Sequence, residues 1–255
     1  ISRVACALSL ASMLLPLSSS ADDAWEFRVT PYLWFAGVKG DVATIPGFPP
    51  APIDIPSSDA LKDTEASLMG VFEAKKGRHG GFLDILYTDV QSDLYNAPAL
   101  NLTLKSTSKN TLATLGYEYE LYNDNRSSVD LLAGVRYWKV DSTLDLVGGL
   151  GILPPPYQPP YSIRNKESWV DPLVGIKGRA ALGESKFFVT GILGLGGFGV
   201  GSDHFYDATV NVGYQWSKLI GTTLGYRLLD VNYENDDFLY DVRQEGWLLG
   251  MSFSF

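Results

Sequence analysis

The chain has 255 residues, enough for one large domain or two small ones, with 13 % aromatic residues and 26 glycines. Its mean hydropathy of +0.02 excludes a bundle of membrane-spanning helices but not a membrane-spanning β-wall, whose outward apolar and inward polar residues cancel in the average. A formal charge of −9 with no basic cluster argues against a nucleic-acid partner.

The first segment carries Arg3, an apolar run from Val4 to Leu17, and Ser18-Ser19-Ser20-Ala21 before Asp22-Asp23. A basic n-region, an apolar h-region and small residues at the cleavage positions Ser19 and Ala21 predict a signal peptide over 1–21. A buried N-terminal helix is the alternative, but such a helix is ordinarily amphipathic. The single cysteine, Cys6, precedes the apolar run, where a lipid-anchoring cysteine follows it. The expected mature chain, 22–255, therefore needs neither a disulfide nor a thiolate site. Removing Arg3 leaves 19 basic against 29 acidic residues, a charge of −10.

From Ala24 onward, period-2 alternation recurs with turn signals between. About Ala24 to Val38, Trp25, Phe27, Val29, Leu33 and Phe35 share one face, opposite Glu26, Arg28, Thr30, Tyr32 and Trp34. Further strands are expected over Thr64–Lys76, Gly81–Asp93 and Ser106–Glu120. After the polar turn Asn123–Arg126, Val129, Leu131, Ala133, Val135 and Tyr137 alternate with Asp130, Gly134, Arg136 and Trp138. Ser168–Ala181, the Gly-rich Lys186–Val200, His204–Trp216, Leu219–Tyr233 and a last strand from about Phe238 to Phe255 complete the set. That makes about ten strands, each long enough to cross a bilayer at a tilt (~9–11 residues).

Connections near Gly77, Asn123, Gly183 and Ser217 are short, whereas those at 39–63, 94–105 and 147–167 are long. Short periplasmic turns and long outer loops are the asymmetry of an outer-membrane barrel. The fold class is therefore all-β: a transmembrane, antiparallel, up-and-down β-barrel. A soluble barrel or sandwich shares the alternation but predicts neither the loop asymmetry nor the aromatic terminus. Two of the long connections, around Ile45–Pro52 and Leu153–Tyr161, are Pro-rich and read as extended segments, and Ser57–Lys62 as one helical turn.

Pro31-Tyr32-Leu33-Trp34 with Gly37 and Gly40, Phe72–Arg78, and Asp171-Pro172-Leu173-Val174-Gly175 resemble segments of a family of small bacterial outer-membrane barrels of uncharacterised function. The resemblance implies a single-chain, monomeric barrel in the cell outer membrane, among lipids and lipopolysaccharide. It also implies recognition of the closing strand, with Phe253 and Phe255, by the barrel insertion machinery. It brings no catalytic or ligand residues.

The inward face is expected to carry Glu26, Arg28, Glu73, Lys75, Asp84, Glu118, Asp130, Arg136, Asp171, Lys177, Arg179 and Arg227. In a barrel of about ten strands the lumen is narrow and largely filled by side chains. Mixed charges there read either as a paired plug or as a narrow polar pathway for small solutes or ions. The glycines at 191, 194, 196, 197 and 199 leave lumen volume free, or admit Trp34 or Trp138 from across the barrel. A competing class is a surface interaction protein that binds a partner through the Pro-rich outer connections 39–63 and 147–167. A rim-active hydrolase is a third reading, resting on His204 with Asp203, Asp207, Asp236 and Asp237. The other histidine, His79, falls in a periplasmic turn, and no Ser/His nucleophile arrangement is visible. The sequence thus supports no enzyme assignment. Neither Cys/His spacing nor a phosphate-binding or calcium-binding loop is present, so no metal site or cofactor is expected. Gly194–Gly199 superficially resembles a dinucleotide loop, but no helix follows it.

Overall fold

The computed structural model describes residues 24–47, 49–97, 102–124, 126–148 and 161–255. The expected signal segment, 1–21, lies outside the described residues, as does the Pro-rich run 153–160.

Eleven strands and one short helix follow in the order β1 (Glu26–Ala43), β2 (Ala51–Ile55), α1 (Ser57–Lys62), β3 (Thr64–Lys76), β4 (His79–Ala97), β5 (Leu102–Asn123), β6 (Ser127–Gly148), β7 (Tyr161–Ala181), β8 (Phe187–Gly197), β9 (His204–Gln215), β10 (Ile220–Asn235) and β11 (Phe238–Ser254). Ten of them, all but β2, form an antiparallel up-and-down wall, and β11 pairs back onto β1. The barrel is closed, so it has no free sheet edge at the chain ends. Phe255 takes part: its N–H donates to the Phe27 carbonyl and the Phe27 N–H to the Phe255 carbonyl, both at 2.9 Å.

The alternation seen in the sequence is the physical cause of the wall. On β6, Asp130, Leu132, Arg136 and Trp138 are buried, while Leu131, Val135 and Tyr137 are exposed. In water such an exterior would be a large apolar patch. Here it is continuous around the barrel. On β11 the outward residues Trp247, Leu249, Met251, Phe253 and Phe255 are all exposed. At ~3.3 Å per residue and ~40° of tilt this stretch rises roughly 20 Å, most of the ~25 Å apolar band of an outer-membrane barrel. Aromatic residues bound the band. Trp25 stacks on Phe27 at 6.1 Å, and Phe27 on Phe255 at 6.4 Å, at the end where the chain termini meet. Tyr226 meets Trp247 edge-on at 5.8 Å at the other end.

The wall is uneven in height. β5, β6 and β7 have 22, 22 and 21 residues, whereas β8 and β9 have 11 and 12. One side of the barrel therefore stands about ten residues, or roughly 30 Å of strand, above the other. The expected long strands were shorter: Ser106–Glu120 extends to Leu102–Asn123, because its pairing with β6 continues well past the membrane band.

The first outer connection is also more structured than an extended loop. β2 folds back on Val38–Val42 of β1, and α1 covers the segment expected to make a helical turn. Asp59 in its first turn and Lys62 in its last suit the helix dipole. Gly37 permits the approach, since a Cβ there would lie 3.1 Å from the Ser57 nitrogen. As a result β1 pairs with β3 only from Glu26↔Lys75 to Pro31↔Gly70.

Inward glycines set the curvature. A Cβ on Gly246 would stand 1.9 Å from the Phe35 carbonyl oxygen, and one on Gly225 2.1 Å from that of Val210. Neighbouring strands lean over these positions, and only glycine fits beneath them. At the periplasmic end the β5–β6 turn is tied by Asp124, which accepts the Tyr122 hydroxyl at 2.8 Å and the Arg126 N–H at 3.0 Å. These bonds hold the Asp124 carboxyl below its usual range, the Tyr122 hydroxyl contributing most.

Candidate functional site

The inward-facing side chains stack in three tiers. The lowest, nearest the chain termini, gathers Arg28, Glu73, Lys75, Glu118, Glu120, Asp130 and Lys177. The Lys177 ammonium donates to Glu73 at 2.5 Å and to Glu118, and lies 4.0 Å from Asp130. Lys75 reaches Asp130 at 2.7 Å and Glu120 at 3.6 Å. Arg28 stands 3.6 Å from Glu73 and donates to the Ser254 hydroxyl at 3.3 Å. Three cations thus face four carboxylates, drawn from β1, β3, β5, β6 and β7.

The middle tier centres on Asp207, with 6 % of its surface exposed. Arg227 engages both carboxylate oxygens, through Nε at 2.9 Å and Nη2 at 2.7 Å. Arg136 adds a bond at 2.8 Å and donates through Nε to Thr114 at 2.8 Å. From Arg227 the network continues to the Tyr32 hydroxyl at 3.1 Å, which donates to Asp84 at 2.8 Å. Two guanidinium groups are therefore matched by two carboxylates across β1, β4, β6, β9 and β10. Both cations also lie over rings: Arg227 5.0 Å from the Trp34 centroid, Arg136 4.7 Å from that of Phe205.

The upper tier is aromatic. Trp138 stacks on Trp169 at 5.6 Å, Trp169 on Tyr233 at 3.9 Å, and Phe205, Phe238 and Tyr240 meet this stack at steep angles. The Trp138 Nε1–H has no hydrogen-bond partner among the described residues, whereas the other polar edges of the stack are satisfied locally. The Trp169 Nε1–H donates to Ser202 at 2.8 Å, whose hydroxyl donates to Asp171 at 2.7 Å. Tyr233 donates to Glu167 at 2.9 Å.

The expected lumen residues distribute unevenly over these tiers. Arg28, Glu73, Lys75, Glu118, Asp130 and Lys177 meet in the lowest, and Asp84, Arg136 and Arg227 in the middle one. Asp171 holds the Ser202 backbone and hydroxyl rather than a cation. Arg179 lies 3.5 Å over the Phe188 ring and donates to Gln215 at 3.1 Å. Glu26, the first residue of β1, is exposed at the periplasmic mouth.

The sequence places Asp207 with His204 at the rim and Glu120 at the end of a strand. Both were missed as lumen groups. For Asp207 the inward parity of β9 was a usable signal. For Glu120 the same signal was present, since it shares the parity of inward Glu118 and the bulge begins only beyond it, between Glu120 and Tyr122.

Tryptophan from across the lumen is not among the atoms nearest the β8 glycines. Gly196 is covered from the adjacent strand, where a Cβ would meet the Phe205 ring at 2.2 Å, and Gly197 by the Ser202 and His204 backbone, while Gly191 and Gly194 have only Thr209 and Asp207 at 3.8–3.9 Å. His204 is exposed and on the opposite face of β9 from Asp207, so these two form no acid/base pair. His79 lies at the periplasmic girdle, 2.5 Å from the Tyr117 hydroxyl. Among the described residues no cluster of three or more His, Cys, Asp or Glu has the arrangement of a metal site. A groove of about 860 Å³ bounded by Phe72, Gly81, Leu83, Leu115 and Tyr117 is on the exterior, the side of the apolar band.

A closed antiparallel wall, an exterior apolar band between aromatic girdles and a polar, ion-paired interior define a transmembrane β-barrel of the bacterial outer-membrane class. Solved structures similar to this chain include Ail, the attachment invasion locus protein of Yersinia pestis, at 10 % identity over 91 % of this chain and 99 % of that one, with a TM-score of 0.38. The transport unit of the autotransporter AIDA-I from Escherichia coli is similar at 8 % identity over 96 % and 94 %, with a TM-score of 0.44. Neisserial surface protein A is similar at 13 % identity over 91 % and 97 %, with a TM-score of 0.30. At these values the properties of those proteins do not extend to this chain. No family model and no curated protein matches it.

Proposed function

We propose that this protein is a monomeric, non-conducting outer-membrane barrel that serves as a rigid scaffold rather than as a pore. One observation carries the reading: the lumen is filled at three successive heights by groups that bond to each other. Trp138, Phe205, Leu229, Val231 and Val242 expose 1–2 % of their surface, and Glu118 and Asp171 none. A pathway for ions needs a continuous hydrated column, and charged groups lining one ordinarily keep water as a partner. Here they keep one another.

Purified protein in planar bilayers is expected to give no stable conductance steps. Reproducible single-channel steps from the wild-type chain would overturn the scaffold reading in favour of a narrow channel.

The same reading includes no catalytic role, in keeping with the opposite facing of His204 and Asp207. It takes the insertion machinery as a partner through the β11 strand that ends at Phe253 and Phe255. A second reading, as a surface interaction protein, is favoured by the tall side of the wall. There β5–β7 carry paired backbone far above the apolar band, a rigid platform that a scaffold alone does not need.

A further inference from the structure

The outer charges of this barrel are segregated by face. Just above the apolar band, on the outward side of β4–β7, the pairing register sets Asp89, Lys109, Asp141 and Lys166 side by side in one row. Lys139 is one outward position below that row, directly above Tyr137, and Arg164 one position above it. Four cations therefore surround two carboxylates. On the other side of the barrel the outward residues near the same height reverse the balance, with Lys39 and Arg243 among Asp41, Asp230, Asp241 and Glu245.

The carboxylates of the basic face are already committed. Asp141 receives Arg164 through two bonds, at 2.7 and 2.5 Å, which hold its carboxyl below the usual range. Asp89 receives Lys109 at 2.7 Å. Lys139 and Lys166 form no ion pair among the described residues and act on Asp141 only at longer range. They are diagonal neighbours across the β6–β7 pair, where Cβ atoms stand about 7 Å apart. Two ammonium groups at that spacing can share one phosphate between them.

We propose that Lys139 and Lys166, flanked by Arg164, form a binding site for a phosphate group of the phosphorylated glycolipid in the outer leaflet. Height selects the lipid source. Lys139 follows Tyr137, which closes the continuous apolar outward run from Val129, so its ammonium is at headgroup level, while a free anion gains nothing from that depth. The acidic face opposite offers no equivalent, so the lipid is held on one side of the barrel only.

The test is binding of diphosphoryl lipid A to the detergent-solubilised full barrel, with dephosphorylated lipid A and inorganic phosphate as the other arms. The double variant Lys139→Gln/Lys166→Gln is expected to bind diphosphoryl lipid A roughly thirtyfold more weakly, the combined effect of two cations at an anionic surface. The double variant Lys186→Gln/Lys218→Gln, in the periplasmic turns, is expected to bind as the wild type does. Equal binding by both double variants, or equal binding of dephosphorylated lipid A, would overturn the proposal. Displacement of lipid A by equimolar inorganic phosphate would assign the pair to a free anion and overturn it likewise. A second measurement needs no variant. Lipid A should protect Lys139 and Lys166 of the wild-type barrel from acetylation while leaving Lys186 and Lys218 reactive, and uniform reactivity would overturn the site.

Discussion

Replacing Lys177 with Met is expected to destabilise the folded barrel by about 3–5 kcal/mol, because it leaves buried carboxylates without their cation. Lys177 is the hub of the lowest tier, bonding Glu73 and Glu118 and approaching Asp130. Glu118 has no side-chain exposure, so water cannot replace the lost ammonium there. The measurement is the urea midpoint of the heat-modifiable band, since a folded barrel migrates differently on SDS gels before and after boiling. The triple variant Lys177→Met/Glu73→Gln/Glu118→Gln removes the charges together and should recover much of the loss. An unchanged midpoint for Lys177→Met would show that the tier is hydrated and not a plug.

Asp207→Asn should produce a loss of similar size, about 3–5 kcal/mol, with the sign of the stranded charge reversed. Arg136 and Arg227 each expose only 6 % of their side chains and converge on this one carboxylate. An amide still accepts hydrogen bonds but does not neutralise two guanidinium groups, and Asp84, 3.4 Å from Arg227, is shared with Tyr32. The comparison is Asp89→Asn, which breaks the pair with Lys109 on the outer surface, its lysine half-exposed, and should move the urea midpoint much less, because solvent reaches and screens that pair. Equal shifts for Asp207→Asn and Asp89→Asn would mean that burial of the middle tier contributes nothing special.

These two tiers explain why the protein tolerates so many charges inside a membrane-spanning wall. Their members come from strands far apart in sequence. Lys177 and Glu73 are separated by 104 positions, and Arg227 and Tyr32 by 195. The first bond joins β7 to β3 across the lumen and the second joins β10 to β1 over the intervening β11, so the interior braces the wall.

Period-2 alternation is a local property. It made the strands, their inward sets and the exterior band legible from Trp25 to Phe255, and connection lengths told the two ends apart. Pairing across the lumen is not local. Phe205 covers Gly196, and Asp207 takes two arginines, because closure places particular heights of particular strands opposite one another. The bulge beyond Glu120 and the fold-back of β2 onto β1 shift those heights without any mark in the alternation. By itself the sequence determined that this chain is a closed outer-membrane wall with charges inside. Only the tertiary structure decided which of those charges pair with which, since that depends on which strands the closed barrel brings face to face.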